Sequence, residues 1–191
     1  MSDRPPPVEL VWPALPFLPG YTAALDRGWC PDTVRDAVRL EELEQIAIDP
    51  AGFLARQVDR EGSGPPVVLP DGTSIRRLPG YNCWIWVGEF CGRIGFRWQP
   101  GGSTLPPQVL GHIGYAVVPW KRGRGYARQA LALLLPQVKA EGLTYVELIT
   151  DPDNLPSQRV ITANGGRVIE RFQEPAAYGG AEGVRYRIDI A

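Results

Sequence analysis

The sequence predicts a single domain with a mixed β-sheet flanked by helices. Two segments dense in Trp, Ile, Val and Phe are separated by a Gly-rich turn, which is typical of an antiparallel hairpin. After it, strand-like and helix-like segments alternate, which is typical of β-α-β connections. Of the 20 prolines, 16 lie in residues 1–120 and only 4 in residues 121–191. We therefore expect a loop-rich first part and a more regular second part.

The first part is predicted to contain short elements separated by prolines. Residues 8–12 have the composition of a short strand, and the prolines of residues 13–19 leave room for one turn of helix. Asp32 is a good N-cap for an amphipathic helix that ends before Pro50. The apolar positions of that helix recur at the helical period and are Val34, Ala37, Val38, Leu40, Leu43, Ile46 and Ala47. A second short helix is expected over residues 51–58, and an irregular loop over 61–80 with an excursion at Asp71-Gly72.

The second part is predicted to supply most of the sheet. The hairpin strands are expected at residues 82–87 and 93–98, followed by a strand at 111–118 that ends at Pro119. A helix is expected over 127–140, although Pro136 should kink or end it. A strand at 145–150, a helix at 157–164 and strands at 167–172 and 184–190 complete the pattern.

Composition excludes several classes of function. The 20 basic and 21 acidic side chains leave a net charge of −1, too weak a field to favour nucleic acid or a membrane surface. The N-terminus has no signal-peptide pattern and no apolar run reaches 18 residues, so we expect a cytoplasmic protein. The 3 cysteines and the single histidine, His112, are too few and too scattered for a zinc site. We expect no metal cofactor.

The loop between the strand at 111–118 and the following helix has the composition of an anion-binding site. Gly123 and Gly125 let the backbone turn and approach a ligand closely, and Ala127 keeps the first helical turn narrow. Arg122, Arg124 and Arg128 add positive charge for further phosphates. The loop therefore predicts a pyrophosphate-binding cradle.

Spacing decides which kind of cradle it is. A Walker A loop is absent, and the dinucleotide pattern Gly-x-Gly-x-x-Gly fails because its last position is Arg128. The remaining pattern, Arg122-x-x-Gly125-x-Ala127, resembles the Arg/Gln-x-x-Gly-x-Gly/Ala signature of the GNAT superfamily of acyl-CoA-dependent N-acetyltransferases. The Gly-His-Ile-Gly-Tyr run at 111–115, Asp153-Asn154 with Ser157 and Arg159-Val160-Ile161, and Asn164-Gly165-Gly166 extend this resemblance over residues 82–191. They are similar to a bacterial group of predicted acetyltransferases with Gly-His-Ile-Gly-Tyr and Asn-Gly-Gly motifs.

The resemblance implies a mostly antiparallel GNAT-like sheet with a splay between its fourth and fifth strands. It also implies one domain over 1–191, with a variable part at 1–80 and an acetyl-CoA-binding core at 81–191. In that core the backbone of Val117 and Val118 would pair with the pantetheine arm, and Asn154 and Ser157 would hold it, unless these last two only cap a helix. The residues implied to bind the diphosphate of the cofactor are Arg122, Gly123, Arg124, Gly125, Tyr126, Ala127 and Arg128.

Acyl transfer to an amine needs a base, an oxyanion donor and an acid. His112 has a suitable ordinary pKa for the base, although a strand histidine is often a structural hydrogen-bonding residue. The resemblance implies the backbone N–H of Val118 as the oxyanion donor. The tyrosine that usually acts as the acid is replaced by Ile161. Substitutes, or simply packing residues, are Tyr115, Tyr126 and Tyr186.

The expected function is transfer of an acyl group, in the first place acetyl from acetyl-CoA, to a primary amine of a small molecule or peptide. A non-catalytic acyl-CoA-binding module is the alternative, because the usual acid is missing, and a nucleotide-binding domain comes third. Relatives in the superfamily are often homodimers, so a dimer stays open. The hairpin aromatics could line an acceptor pocket or pack in the core, and the second interpretation is favoured; they are Trp84, Trp86, Phe96 and Trp98.

Overall fold

The computed structural model describes residues 6–32, 35–69 and 71–190 of the chain. Its strands are β1 Glu9–Val11, β2 Val58–Asp59, β3 Val67–Val68, β4 Ser74–Ile75, β5 Gly80–Trp86, β6 Phe90–Arg97, β7 Ile113–Val117, β8 Tyr145–Thr150, β9 Arg167–Gln173 and β10 Glu182–Asp189. Its α-helices are α1 Leu18–Asp26, α2 Val38–Ile48, α3 Pro50–Ala55, α4 Tyr126–Ala140 and α5 Leu155–Thr162. Two 3₁₀ turns cover Pro119–Lys121 and Ala176–Tyr178.

Two sheets meet edge to edge and open apart at one point. The first has the order β1-β5-β6-β7, with β2 also paired to β5, and the second has the order β8-β10-β9. All the ladders within them are antiparallel. Between β7 and β8 there is no ladder, and the backbone N–H of His112 donates to the Glu147 carbonyl at 2.7 Å where the gap begins. The predicted splay between two neighbouring strands is therefore present.

The two faces of the first sheet are buried by different helices. One face packs on α4 and α5 through a cluster that includes Ile94, Leu131 and Ile161. The other packs on α1 and α3 through a cluster that includes Tyr21 and Trp84. Because side chains alternate between the faces of a strand, β7 presents odd-numbered residues to one helical layer and even-numbered residues to the other. The gap beside β7 is thus open to both layers.

The expected elements of the second part are confirmed with small changes of boundary, and the strand at 145–150 is reproduced. The hairpin has a shorter turn than expected, because β5 and β6 are separated only by residues 87–89. Helix α4 runs through Pro136 to Ala140, which confirms the predicted range of 127–140, so Pro136, on the exposed side, does not end the helix. The core interpretation of the hairpin aromatics is confirmed for Trp84, Phe96 and Trp98, which are buried.

The first part was predicted less well. Helix α1 is longer than the single turn expected, because Pro19, which was interpreted as a break, occupies the first turn of the helix. Helix α2 begins at Val38, and the Asp32 carboxylate instead accepts the backbone N–H of Arg35 at 2.9 Å. Val34, which was assigned to the apolar face of that helix, lies outside the described residues. Within the described ranges no helix is both long and apolar enough to cross a membrane.

Candidate active site

A cavity of about 1100 Å³ passes through the gap between β7 and β8. Its walls include Gly114 and Tyr115, two neighbours on β7 whose side-chain positions face opposite sides of the sheet. Asn154 and Ser157 of α5 line one end, and Glu42 of α2 lines the other. Two molecules could therefore enter from opposite faces and meet at β7.

The cradle lies just beyond the end of β7. Gly123 and Gly125 adopt φ of 77° and 76°, a left-handed conformation that favours glycine. Within the described residues, the backbone N–H groups of residues 123–128 have no hydrogen-bond acceptor. A Cβ on Gly123 would meet no atom within 4 Å, so the space above the loop is open. These unpaired donors at the N-terminus of α4 fit the diphosphate of coenzyme A.

Positive charge surrounds the cradle. Arg122, Arg124 and Arg128 are exposed, and in the described part of the chain none of them has an acidic partner. Arg122 instead donates from Nε to the Val117 carbonyl at 3.2 Å. Tyr126 and Ala127 are half-buried at the start of α4, and Tyr126 packs on the core. The predicted cradle residues are thus brought together on one exposed loop.

The backbone of β7 corrects one predicted role. The Val118 N–H donates to the Cys91 carbonyl at 3.0 Å, so it is not free to stabilise an oxyanion. Antiparallel strands direct alternate backbone groups to the same neighbour, so the N–H groups of Tyr115 and Val117 point away from β6. The donors that face the gap are therefore those of Tyr115 and Val117.

His112 is fully buried at the closed end of the gap and is not part of the cavity wall. Its Nδ1 accepts the backbone N–H of Glu147 at 2.9 Å. Burial lowers the pKa of His112 to about 4, with the Glu147 carboxylate opposing this shift. The ring is therefore neutral at pH 7, and Nε2 has no partner among the described residues. Its role as the base stays a prediction, and this geometry favours a structural role.

The start of α5 connects to β7 through two hydroxyl groups. Asn154 caps α5, because its Oδ1 accepts the Ser157 N–H at 3.1 Å. The Ser157 hydroxyl lies 2.8 Å from the Tyr115 hydroxyl. Burial raises the pKa of Tyr115 to about 12, so this phenol stays protonated at neutral pH. Ile161, in the place of the usual tyrosine, is buried in the core. Tyr115 is thus the phenol that hydrogen-bonds to this helix turn.

Sequence reasoning missed the other end of the cavity. Glu42 is the one buried residue of α2, hydrogen-bonded by the Tyr21 hydroxyl and 3.7 Å from Arg93 on β6. Burial raises the pKa of Glu42, whereas Arg93 and Tyr21 lower it. A signal was present, since Glu42 lies four residues from both Val38 and Ile46, in the middle of the apolar face of the helix.

Comparisons with known proteins agree with this architecture. Residues 73–167 match the model of the acetyltransferase (GNAT) domain family. No curated protein matches the chain. A solved acetyl transferase from Salmonella typhimurium, which modifies the N-terminal serine of a 50S ribosomal subunit protein, is 14% identical with a TM-score of 0.62, covering 96% of this chain and 95% of its own.

Two further structures carry the cofactor. The microcin self-immunity acetyltransferase MccE, in complex with acetyl-CoA and AMP, is 14% identical with a TM-score of 0.59, covering 99% of this chain and 94% of its own. The ribosomal protein alpha-N-acetyltransferase RimL, in complex with coenzyme A, is 14% identical with a TM-score of 0.58, covering 96% and 94%. At this identity the likeness shows the fold, and it confirms the predicted sheet and its flanking helices.

Proposed function

We propose that the chain is an acetyltransferase of the GNAT superfamily, whose family model matches residues 73–167, and that it transfers the acetyl group of acetyl-CoA directly to a primary amine of a small molecule or peptide. The cavity that passes through the sheet between β7 and β8 carries this proposal. It lets a thioester enter from the side of α4 and α5 and an amine from the side of α1 to α3. Direct transfer needs such a meeting point, because the two reactants must be in contact.

The cofactor side is built from backbone groups. The N–H donors of residues 123–128 would bind the diphosphate, and the arginines of the cradle would hold the remaining phosphate. The gap-facing backbone of Val117 would pair with pantetheine, which requires Arg122 to release the Val117 carbonyl. The Asn154 side-chain amide is available as a further donor, because only its Oδ1 is used within the described structure. Residues 81–191 would form this cofactor-binding core, and residues 1–80 would form the acceptor end within one domain.

We assign the proton acceptor to Glu42. The carboxylate lines the cavity on the acceptor side, and Tyr21 and Arg93 hold it in place. Burial raises its pKa and so makes it a better base than an exposed glutamate. His112 has a lowered pKa and lies outside the cavity wall, so it is the weaker candidate.

The proposed reaction balances as follows. The ammonium group of the acceptor first loses a proton to water. The nitrogen of the neutral amine then attacks the thioester carbonyl carbon and loses its second proton to Glu42. The oxyanion that forms accepts a hydrogen bond from the Tyr115 N–H, which faces the gap, while the Val117 backbone two residues further along β7 pairs with pantetheine. The C–S bond then breaks, leaving an amide and a thiolate. The Tyr115 hydroxyl donates a hydrogen bond to this thiolate, and since a thiol has an ordinary pKa near 8.5, water can supply its proton.

A steady-state assay of CoA release with a panel of primary amines tests this function, with mass spectrometry to identify the acetylated product. We expect an acetylamide product that gains one acetyl group per CoA released. Arg122→Glu should weaken acetyl-CoA binding, because it reverses a charge of the cradle. If acetyl-CoA does not bind, or if binding is unaffected by that change, the cradle itself is refuted.

One observation keeps a second function open. The absence of the usual tyrosine at Ile161 removes a standard catalytic group and favours a non-catalytic acyl-CoA-binding module. The same assay separates the two. Tight acetyl-CoA binding with no transfer to any amine of the panel would refute the enzyme and support the binding module.

A further inference from the structure

The acceptor side of the cavity has a floor formed by two glycines of neighbouring strands, flanked by arginines. On the face of β6 that packs towards α1 to α3, the residues in order are Arg93, Gly95 and Arg97. Gly95 lies directly opposite Gly114 of β7 in the antiparallel register. A Cβ on Gly114 would meet no atom within 4 Å. Gly114 therefore leaves a shallow space beside the point on β7 where the thioester would lie, whereas the Asn82 side chain covers Gly95, with its Oδ1 2.5 Å from where a Cβ on Gly95 would stand.

The two arginines at the ends of this row differ in their partners. Arg93 lies 3.7 Å from the Glu42 carboxylate, so its charge is partly neutralised. The Arg97 side chain is exposed and, within the described structure, its guanidinium makes no hydrogen bond or ion pair. The charges of Tyr178, Arg93 and Asp32 act on the Arg97 guanidinium through space. The Asp32 carboxylate also accepts the backbone N–H of Arg35.

The other arginines of the cavity wall all have a partner. Arg35 pairs with Glu41, Arg56 donates to Gln45, and Arg77 donates to the Pro65 carbonyl. Among the arginines that line the cavity in the described ranges, only Arg97 presents a guanidinium without a partner. A guanidinium facing such a space is suited to bind a carboxylate or phosphate through paired hydrogen bonds.

We propose that the acceptor is an amine that also carries an anionic group, a carboxylate or a phosphate, and that Arg97 binds this group. The proposal rests on the proposed function and names the class of its acceptor. Glu42 and Arg93 mark the amine end of the site, and Arg97 marks the anionic end. Arg97 lies two residues along β6 from the glycine floor, or roughly 7 Å at the rise of a strand. The anion and the amine should therefore be separated by several bonds.

Acidic residues at the rim of the cavity carry the charge opposite to that of Arg93 and Arg97. Asp151 and Glu174 also line the cavity, and burial, together with the like charge of Asp151, raises the pKa of Glu174. Asp151 follows the end of β8 and Glu174 follows the end of β9, so both lie outside the row of β6 residues that faces the glycine floor. A polycationic acceptor would use them and would not need Arg97, so it forms a separate outcome of the test.

The test compares four series of amines in the acetyl-transfer assay. They are ω-amino carboxylates from glycine to 6-aminohexanoate, n-alkylamines of matched length, aminoalkyl phosphates, and α,ω-diamines. We expect kcat/KM to be highest for an anionic series, with an optimum at a chain of several carbons. The carboxylate and phosphate series distinguish the two sources of the anion.

Variants assign the preference to Arg97. In Arg97→Leu the ratio of kcat/KM for the best anionic amine to that of its matched alkylamine should fall about 10- to 100-fold, the range of a charge-assisted hydrogen bond. Arg97→Lys should restore part of the ratio, since it keeps the charge but not the paired donors. Arg76→Leu, which removes the same charge from an exposed position outside the cavity, should leave the ratio as in wild type.

Equal or better rates with alkylamines or diamines, or a ratio that Arg97→Leu does not change, would overturn the proposal while leaving acetyl transfer intact. If no amine is acetylated, calorimetric titration of the CoA-bound protein with the same ω-amino carboxylates decides it. Binding that Arg97→Leu weakens about 10- to 100-fold supports an anion site, and no binding by any of them refutes it.

Discussion

The two ends of the cavity are built from different materials. The cofactor end is made of backbone: N–H groups of residues 123–128, with Gly123 and Gly125 shaping the loop. The acceptor end is made of side chains from separate elements, with Tyr21, Glu42 and Arg97 on α1, α2 and β6. A site made of backbone groups needs a short run of residues with fixed spacing in the sequence. A site made of side chains needs only that residues far apart in the sequence meet in the fold. The match to the family model, over residues 73–167, covers the first end and omits α1 and α2.

The largest effect should come from the acceptor end. Glu42→Gln removes the proposed base but keeps the size of the side chain, so we expect kcat/KM for the amine to fall about 10²- to 10⁴-fold. Wild type should lose activity as the pH falls through the raised pKa of Glu42, above the ordinary range of a glutamate, and the variant should lose that dependence. Steady-state kinetics across pH measure both.

Glu41→Gln is the matched control, because Glu41 is the exposed neighbour on the same helix and pairs with Arg35. Both variants should bind acetyl-CoA as wild type does, which separates the two ends of the cavity. A near-normal rate in Glu42→Gln, with a large loss in His112→Asn, would return the role of base to His112 and contradict our assignment.

The contrast explains what the sequence could predict. The cradle was found because glycine at a positive φ and free N–H groups have a signature within six residues. The splay came from the family resemblance and not from periodicity, since nothing in the β7 or β8 segments alone shows that they stay unpaired. Glu42 was missed because a single carboxylate on an apolar helix face becomes informative only when its partners on α1 and β6 are known.

The next largest effect is a loss of folding stability at low pH, caused by His112 at the closed end of the gap. The folded protein holds His112 with a pKa of about 4, against about 6.5 in the unfolded chain. The unfolded state therefore binds the proton first as the pH falls. Stability is complete above pH 6.5 and is lost between about pH 6.5 and 4, by about 3 kcal/mol. Urea unfolding at a series of pH values measures it.

His112→Asn should flatten this part of the profile, because the Asn side chain can still accept the Glu147 N–H but does not titrate. If another group is responsible, the variant should show the same dependence of stability on pH as wild type. Such an unchanged slope would refute the assignment to His112.

A smaller effect is expected at the cofactor end. Gly125→Val forces a β-branched residue into a φ of 76° at the cradle, and we expect the Kd for CoA to rise about 10- to 100-fold. Gly179→Val is the control, because Gly179 has a φ of 92°, open space around it and a position away from the cradle. Both variants should lose about 1–3 kcal/mol of stability through backbone strain. Equal CoA affinity in the two, measured by calorimetry, would contradict the cradle.

The smallest effect should fall on the phosphate that lies outside the diphosphate. Arg128 is exposed on the first turn of α4 and, in the part of the chain described, has no acidic partner. Solvent and salt screen such a charge, so Arg128→Gln should reduce the preference for CoA over dephospho-CoA only about 3- to 10-fold at low salt. The reduction should shrink as ionic strength rises, whereas the backbone-dependent loss in Gly125→Val should persist. If Arg128→Gln weakened both ligands equally, its charge would act on the diphosphate instead, and the cofactor end would depend on side chains more than its loop geometry indicates.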